Sequence, residues 1–148
     1  VAEEIRATGF TCQRRSDGAP VGDATQVWLG DSMGEMFAYY GVADVAFVGG
    51  SLLDFGSQNL IEPCALGVPI LLGPSTYNFA DAAHEALAAG AAIQVPDGAR
   101  LVAEACELLA GPGRLQAMGN AGREFTRRHR GATGRTMQLI ESAIREGC

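Results

Sequence analysis

Residues Gly30 to Asp81 read GDSMGEMFAYYGVADVAFVGGSLLDFGSQNLIEPCALGVPILLGPSTYNFAD, and this stretch decides the fold. At its centre Asp44-Val-Ala-Phe-Val48 is a short apolar run of the kind that forms a buried strand. It stops at Gly49-Gly50-Ser51, and a Gly- and Ser-containing loop leads into a helix expected from about Asn59 to Leu66. A second apolar run, Pro69-Ile-Leu-Leu72, is again closed by glycine. Strand, glycine turn, helix, strand is a βαβ unit, and right-handed crossover makes its two strands parallel. Ligands of open parallel sheets sit in the crevice beyond the carboxyl ends of the strands. The reading lines that crevice with Gly49, Gly50, Ser51, Gly56, Ser57, Asn59 and Glu62.

Upstream, Val1 to Thr8 reads as the end of a helix closed by Gly9. Phe10 to Arg15 and Thr25 to Leu29 read as strands, separated by a polar loop from Ser16 to Asp23. Trp28 is a packing residue. Ser32-Met-Gly-Glu35 fits a capping box, with the Ser32 hydroxyl on a free amide and Glu35 reaching back. Met36, Phe37 and Tyr40 then share one helix face. Downstream, Asn78 is placed to cap a helix running to about Ala89, with Phe79, Ala83 and Leu87 inward. Ala91 to Val95 is the next strand. Asp97 caps a helix whose Leu101, Val102, Ala105, Leu108 and Leu109 form an apolar stripe, ended by Gly111-Pro112. Leu115, Met118, Gly122 and Phe125 mark another helix, and Met137, Ile140 and Ile144 the last. Strands and helices alternate with helices massed at the end. The expected fold is therefore α/β, a Rossmann-like doubly wound parallel sheet, with residues 1–148 as one domain.

The chain of 148 residues carries a net charge of −6 and a pI of about 4.8, which argues against nucleic-acid binding. An anionic ligand would need local help from backbone amides and helix starts. Cys12, Cys64, Cys106 and Cys148 are widely spaced and form no metal-like cluster, so reduced thiols are expected. His84 and His129 lack metal-ligand spacing and read as surface or packing residues, and no metal is expected. Arg127-Arg-His-Arg130 reads as a solvated helix end. No run is apolar enough to span a membrane, and no signal peptide is apparent.

Each candidate residue has a bland reading as well as a functional one. Gly49-Gly50-Ser51 is either a turn needing positive φ or a place where a ligand meets bare backbone, and its position at the sheet edge favours the second. Asn59 and Glu62 fit an N-terminal capping pair. Pro63 fits the first helical turn, which leaves free amides between Ser57 and Glu62 for a phosphate.

The ordered string GDSMGEM…YY…ADVAFVGGSL…G.QN.IEP.ALGVPIL.GP.TYNF closely resembles the carboxy-terminal half of 3-deoxy-D-manno-octulosonic acid (Kdo) transferases, most densely from Gly30 to Phe79. The resemblance implies the second domain of a GT-B glycosyltransferase, which binds CMP-Kdo as donor and serves lipopolysaccharide inner-core synthesis. It implies that Ser32, Met33, Gly34 and Glu35 border the nucleotide, although a capped helix start explains Ser32 and Glu35 equally well. It turns Glu62 from a cap into an acceptor for ribose hydroxyls. Where many relatives have a GGHN-like sequence, this chain has Gly56-Ser57-Gln58-Asn59, and Gln58 keeps a donor but carries no charge. The general base is implied to lie in an amino-terminal domain, so no catalytic base is assigned here, and neither is a cofactor. That domain would also bring the lipid A precursor and the cytoplasmic face of the inner membrane, with the present chain a soluble fragment. Two alternatives remain: another GT-B enzyme using UDP-sugars (a transferase or a 2-epimerase), and a non-catalytic nucleotide-binding module.

Overall fold

In the computed structural model, residues 1–129 and 132–146 are described. The chain divides into two compact units, Val1–Tyr39 and a second from Tyr40 onward. In the first, helix α1 (Ala2–Ala7) precedes strands β1 (Cys12–Arg14) and β2 (Val27–Leu29), which pair in parallel with Cys12 opposite Val27. A 3-10 turn at Arg15–Asp17 follows β1. The Asp31 carboxylate holds it by accepting from the Ser16 amide at 2.9 Å and the Ser16 hydroxyl at 2.6 Å. Trp28 packs edge-on against Tyr39, with ring centroids 5.4 Å apart. Helix α2 (Met36–Gly41) is short. Its expected apolar face is not buried, since Met36 is 46% and Phe37 57% exposed and Tyr40 half-buried.

The second unit contains β3 (Ala46–Phe47), α3 (Ile61–Leu66), β4 (Ile70–Leu72), α4 (Ala80–Ala88), β5 (Ala92–Gln94), α5 (Gly98–Ala110), α6 (Pro112–His129) and α7 (Ala132–Glu146). Strands pair in the order β3-β4-β5, all parallel, as the βαβ reading of the two connections expects. The five expected strands all form, shortened at their ends, in one ladder of two and one of three.

Central strand β4 is buried along its length, as a strand with helices on both faces must be. Ile70 and Leu72 enter one cluster with Val48, Leu60, Cys64, Ala83, Ala86 and Phe125. Leu71 points the other way, into a cluster with Leu108 and Met118 flanked by Leu101, Ala105 and Leu115. The alternation is the strand period of two. Helix α6 serves both faces, Met118 in one cluster and Phe125 in the other. It approaches α3 so closely that a Cβ on Gly119 would lie 2.3 Å from the Gly67 carbonyl oxygen.

Asp97 does cap α5, accepting from the Arg100 amide at 2.8 Å. The α5 stripe is narrower than its sequence: Leu108 is fully buried, whereas Val102 and Leu109 are 63% and 55% exposed. Asn78 does not cap α4. Its side-chain amide donates to the Phe55 carbonyl at 3.0 Å, and a 3-10 turn at Tyr77–Phe79 precedes the helix. Met137, Ile140 and Ile144 of α7 are exposed. Arg127 and Arg128 both pair with Glu124, a single carboxylate that offsets one of their two charges. Arg130, Cys148 and the His129 side chain lie outside what is described. Cys12, Cys64 and Cys106 are free thiols, and burial pushes Cys64 up to about 12. No helix of the described residues is long and apolar enough to cross a membrane.

Candidate functional site

The Ser32–Glu35 turn belongs to the first unit. Its capping box does not form as expected: the Ser32 hydroxyl donates to the Glu35 carboxylate, not accepting from an amide. The other Glu35 oxygen accepts from Arg15 at 3.0 Å. The Ser32 hydroxyl and then the Arg15 guanidinium hold the Glu35 carboxyl below its usual 4.5. Glu35 is thus a charged, fully engaged anchor. Met33 is 95% exposed, and Gly34 takes a positive φ of 79°.

The crevice residues belong to the second unit, at the carboxyl end of β3. Val48 is the last rung, donating to the Leu71 carbonyl at 3.1 Å. Where another rung would follow, the Ser51 hydroxyl is inserted. It donates to the Val48 carbonyl at 2.6 Å and accepts from the Gly73 amide at 2.8 Å, with Ser51 fully buried. Ser51 therefore shapes the turn with a side chain wholly committed to protein. Gly50 needs to be glycine for two reasons: its φ is 79°, and a Cβ there would lie 2.6 Å from the Gly56 carbonyl oxygen. Among the described residues the amides of Gly49 and Gly50 donate to no protein acceptor, and Gly49 is exposed. The turn presents bare backbone donors.

The Gln58 amide donates to the Gly49 carbonyl at 3.1 Å, which holds the segment leading to Asn59 and Glu62 beside that turn. Helix α3 begins at Ile61, two residues later than expected, and has only six residues. Asn59 serves its start from outside, accepting from the Ile61 amide at 2.9 Å and donating to Glu62 Oε1 at 3.0 Å. The free amides expected between Ser57 and Glu62 are thus reduced, since Gln58 and Ile61 already have acceptors and so short a helix has a weak dipole. Pro63 sits in the first turn, as read. Glu62 is half-buried, and after burial its charge is the second cause raising the Tyr40 hydroxyl above 10.0. Ser57 is buried with a hydroxyl that has no partner, Gly56 is buried, and Gln58 is exposed.

The loops after β3 and β4 form an open, cleft-like cavity of about 580 Å³, lined by Leu52, Leu53, Asp54, Pro74, Ser75, Thr76 and Tyr77. None of these was singled out from sequence. The rule that ligands sit beyond strand carboxyl ends applies to β4 as much as to β3, so the Gly73-Pro74-Ser75 exit was the available signal.

A parallel α/β unit with helices on both sheet faces and a bare glycine turn at the carboxyl edge is the arrangement of the carboxy-terminal domain of a GT-B glycosyltransferase. The chain is 50% identical over 141 residues to the 3-deoxy-D-manno-octulosonic acid transferase of Bordetella pertussis, covering 95% of this chain and 33% of that protein. It is 37% identical over 142 residues to the enzyme of the same name from Haemophilus influenzae, with the same two coverages, 95% and 33%. Among solved structures it matches the C-terminal CMP-Kdo binding domain of WaaA from Acinetobacter baumannii. The TM-score is 0.79 and the identity 32%, covering 83% of this chain and 64% of that one. The chain is similar to Kdo transferases along 95% of its own length, and spans about a third of the length of the curated relatives it matches. No family model matches it.

Proposed function

We propose that this chain is the donor-binding domain of a glycosyltransferase that transfers Kdo from CMP-Kdo to a lipid A precursor. One observation carries the reading: the Gln58–Gly49 bond sets the Asn59–Glu62 pair beside the unpartnered amides of Gly49 and Gly50. The amides serve the phosphate, whose negative charge grows as it departs. Asn59 occupies one Glu62 oxygen and leaves the other for the ribose diol. In the reaction an acceptor hydroxyl forms a bond to the anomeric carbon as the anomeric carbon–phosphate oxygen bond breaks. The hydroxyl's proton goes to a base outside this chain. The lipid acceptor and the membrane face are assigned to the two thirds of the relatives' length that this chain does not span, and no metal is assigned to this domain.

The test is calorimetric titration of CMP into the full polypeptide and its Glu62→Gln variant. A hydrogen bond to a charged group contributes about 1.5–3 kcal/mol. Loss of the charge should therefore weaken CMP at least about tenfold, or about 1.4 kcal/mol. Glutamine retains an acceptor for Asn59, so the melting temperature should change little. Unchanged CMP affinity with a lowered melting temperature would make Glu62 a cap and end the ribose assignment. Tighter binding of UMP than CMP would transfer the domain to UDP-sugar chemistry.

A further inference from the structure

We propose that the cavity between Leu52–Asp54 and Pro74–Tyr77 is the subsite for the polyhydroxyl portion of the donor sugar, with Asp54 as hydroxyl acceptor and Tyr77 as platform. The inference rests on the donor reading above and adds to it where the sugar sits and which part of it is read. The cavity opens from the same loop as the Gly49–Gly50 turn, a few residues further along, and from the matching loop after β4. A nucleotide sugar bound by its phosphate at that turn has its sugar as the next group along.

The lining defines the ligand's chemistry. It offers one carboxylate and three hydroxyls, from Asp54, Ser75, Thr76 and Tyr77, and no cationic side chain. Asp54 repels a phosphate or a sugar carboxylate but accepts readily from neutral hydroxyls. The acidic end of the sugar therefore faces out of this cavity and its polyol side faces in. Tyr77 and Leu53 are 60% and 64% exposed, an aromatic and an aliphatic surface against which the C–H face of a sugar ring can lie.

The cavity is also built to hold its shape. The Ser75 amide donates to the Ser51 carbonyl at 2.9 Å, the Gly56 amide to the Ser75 hydroxyl at 3.1 Å, and Asn78 to the Phe55 carbonyl at 3.0 Å. These bonds tie one loop to the other. By contrast, the contacts that engage the proposed ligand groups are long: Ser75 to the Asp54 carboxylate at 3.4 Å, and the Tyr77 hydroxyl to the Asp54 carbonyl at 3.4 Å. Bonds of that length are weak, and a ligand hydroxyl at normal distance displaces them.

The experiment compares wild type, Asp54→Asn, Tyr77→Ala and Glu62→Gln in the full polypeptide, measuring CMP affinity by calorimetry and KM for CMP-Kdo. Asp54→Asn and Tyr77→Ala should raise the donor KM about tenfold while CMP affinity stays within about twofold. Glu62→Gln should move both together. Donor KM unchanged in both cavity variants would overturn the subsite with the donor reading intact. Parallel loss of CMP affinity in the cavity variants would place the nucleotide there and overturn it as well. Absence of CMP binding by the wild type overturns the donor reading first and this one with it. Asp54 and Tyr77 are exposed, and far-UV circular dichroism with thermal melts identifies a folding defect. If either variant is misfolded, saturation-transfer NMR of free Kdo on the wild type decides: magnetisation transfer to the polyol protons supports the subsite, and its absence overturns it.

Discussion

Replacing Ser51 with alanine should destabilise the protein far more than the loss of one oxygen suggests. The hydroxyl is fully buried and stands where the parallel ladder of β3 and β4 would have its next rung, between the Val48 carbonyl and the Gly73 amide. Gly73 cannot move in to close the gap cheaply. Its own position is already tight, and a Cβ there would lie 2.3 Å from the Ser51 carbonyl oxygen. Alanine at 51 therefore strands one buried donor and one buried acceptor, each costing about 1–3 kcal/mol. Since the variant also no longer buries a hydroxyl, the expected net loss is about 2–4 kcal/mol, a large share of a domain's typical stability of about 5–15 kcal/mol. Ser57 supplies the control. It is equally buried, yet its hydroxyl has no protein partner. Ser57→Ala should leave stability unchanged or raise it, because an unpaired buried hydroxyl is itself a cost. Urea denaturation followed by far-UV circular dichroism, with the slope checked for constancy, measures both. A Ser51→Ala loss below about 1 kcal/mol, or a Ser57→Ala loss as large as that of Ser51→Ala, would refute the inserted-rung account.

Three further outcomes test other parts of the structure. Gly119→Ala should cost about 1–3 kcal/mol or more in urea denaturation, because its Cβ would lie 2.3 Å from the Gly67 backbone. Gly113→Ala in the same helix, with nothing within 4 Å, should be neutral or slightly stabilising. With Ellman's reagent at mildly alkaline pH, exposed Cys106 should react in the folded protein. Cys64, pushed up to about 12 by burial, should react only on unfolding, when the total reaches four thiols. A total of two would reveal a disulfide. The Ser32 hydroxyl and Arg15 lower the Glu35 carboxyl below 4.5 when folded. Its contribution is therefore present above the unfolded value and lost as pH falls through the folded one. Melting temperatures taken downward through the carboxylate range should fall less steeply for Glu35→Gln than for wild type, and identical slopes would contradict the assignment.

Much of the fold was legible in residues 44–72 alone. An apolar run, a glycine stop and a second apolar run with Pro63 between them specify a parallel crossover, because burial on both faces leaves no polar alternation. Ile70, Leu71 and Leu72, 0%, 1% and 0% exposed, bear this out for the second run, whereas in the first Phe47 is 39% exposed beside buried Ala46 and Val48. The glycine turn at the sheet edge was legible too, as was the Asp97 cap, whose acceptor and donor are three residues apart. What escaped were polar side chains with several local options. Asn78 reads as a helix cap, yet its amide reaches the Phe55 carbonyl, 23 residues away in sequence. Ser51 reads as part of a ligand turn, yet its hydroxyl joins strands through Gly73, 22 residues on. Ser32 and Glu35 have the spacing of a capping box but bond to each other instead. The cavity was invisible for the same reason, since its walls come from two loops that meet only once β3 and β4 pair. Val102 and Leu109 show the limit from the apolar side, because helical period says which residues share a face but not how far a neighbour covers it. Backbone order follows from hydrophobic period and glycine placement, which act over a few residues. Polar partnership follows from whichever donor or acceptor the folded chain delivers within about 3 Å, and that distance is set only by tertiary structure.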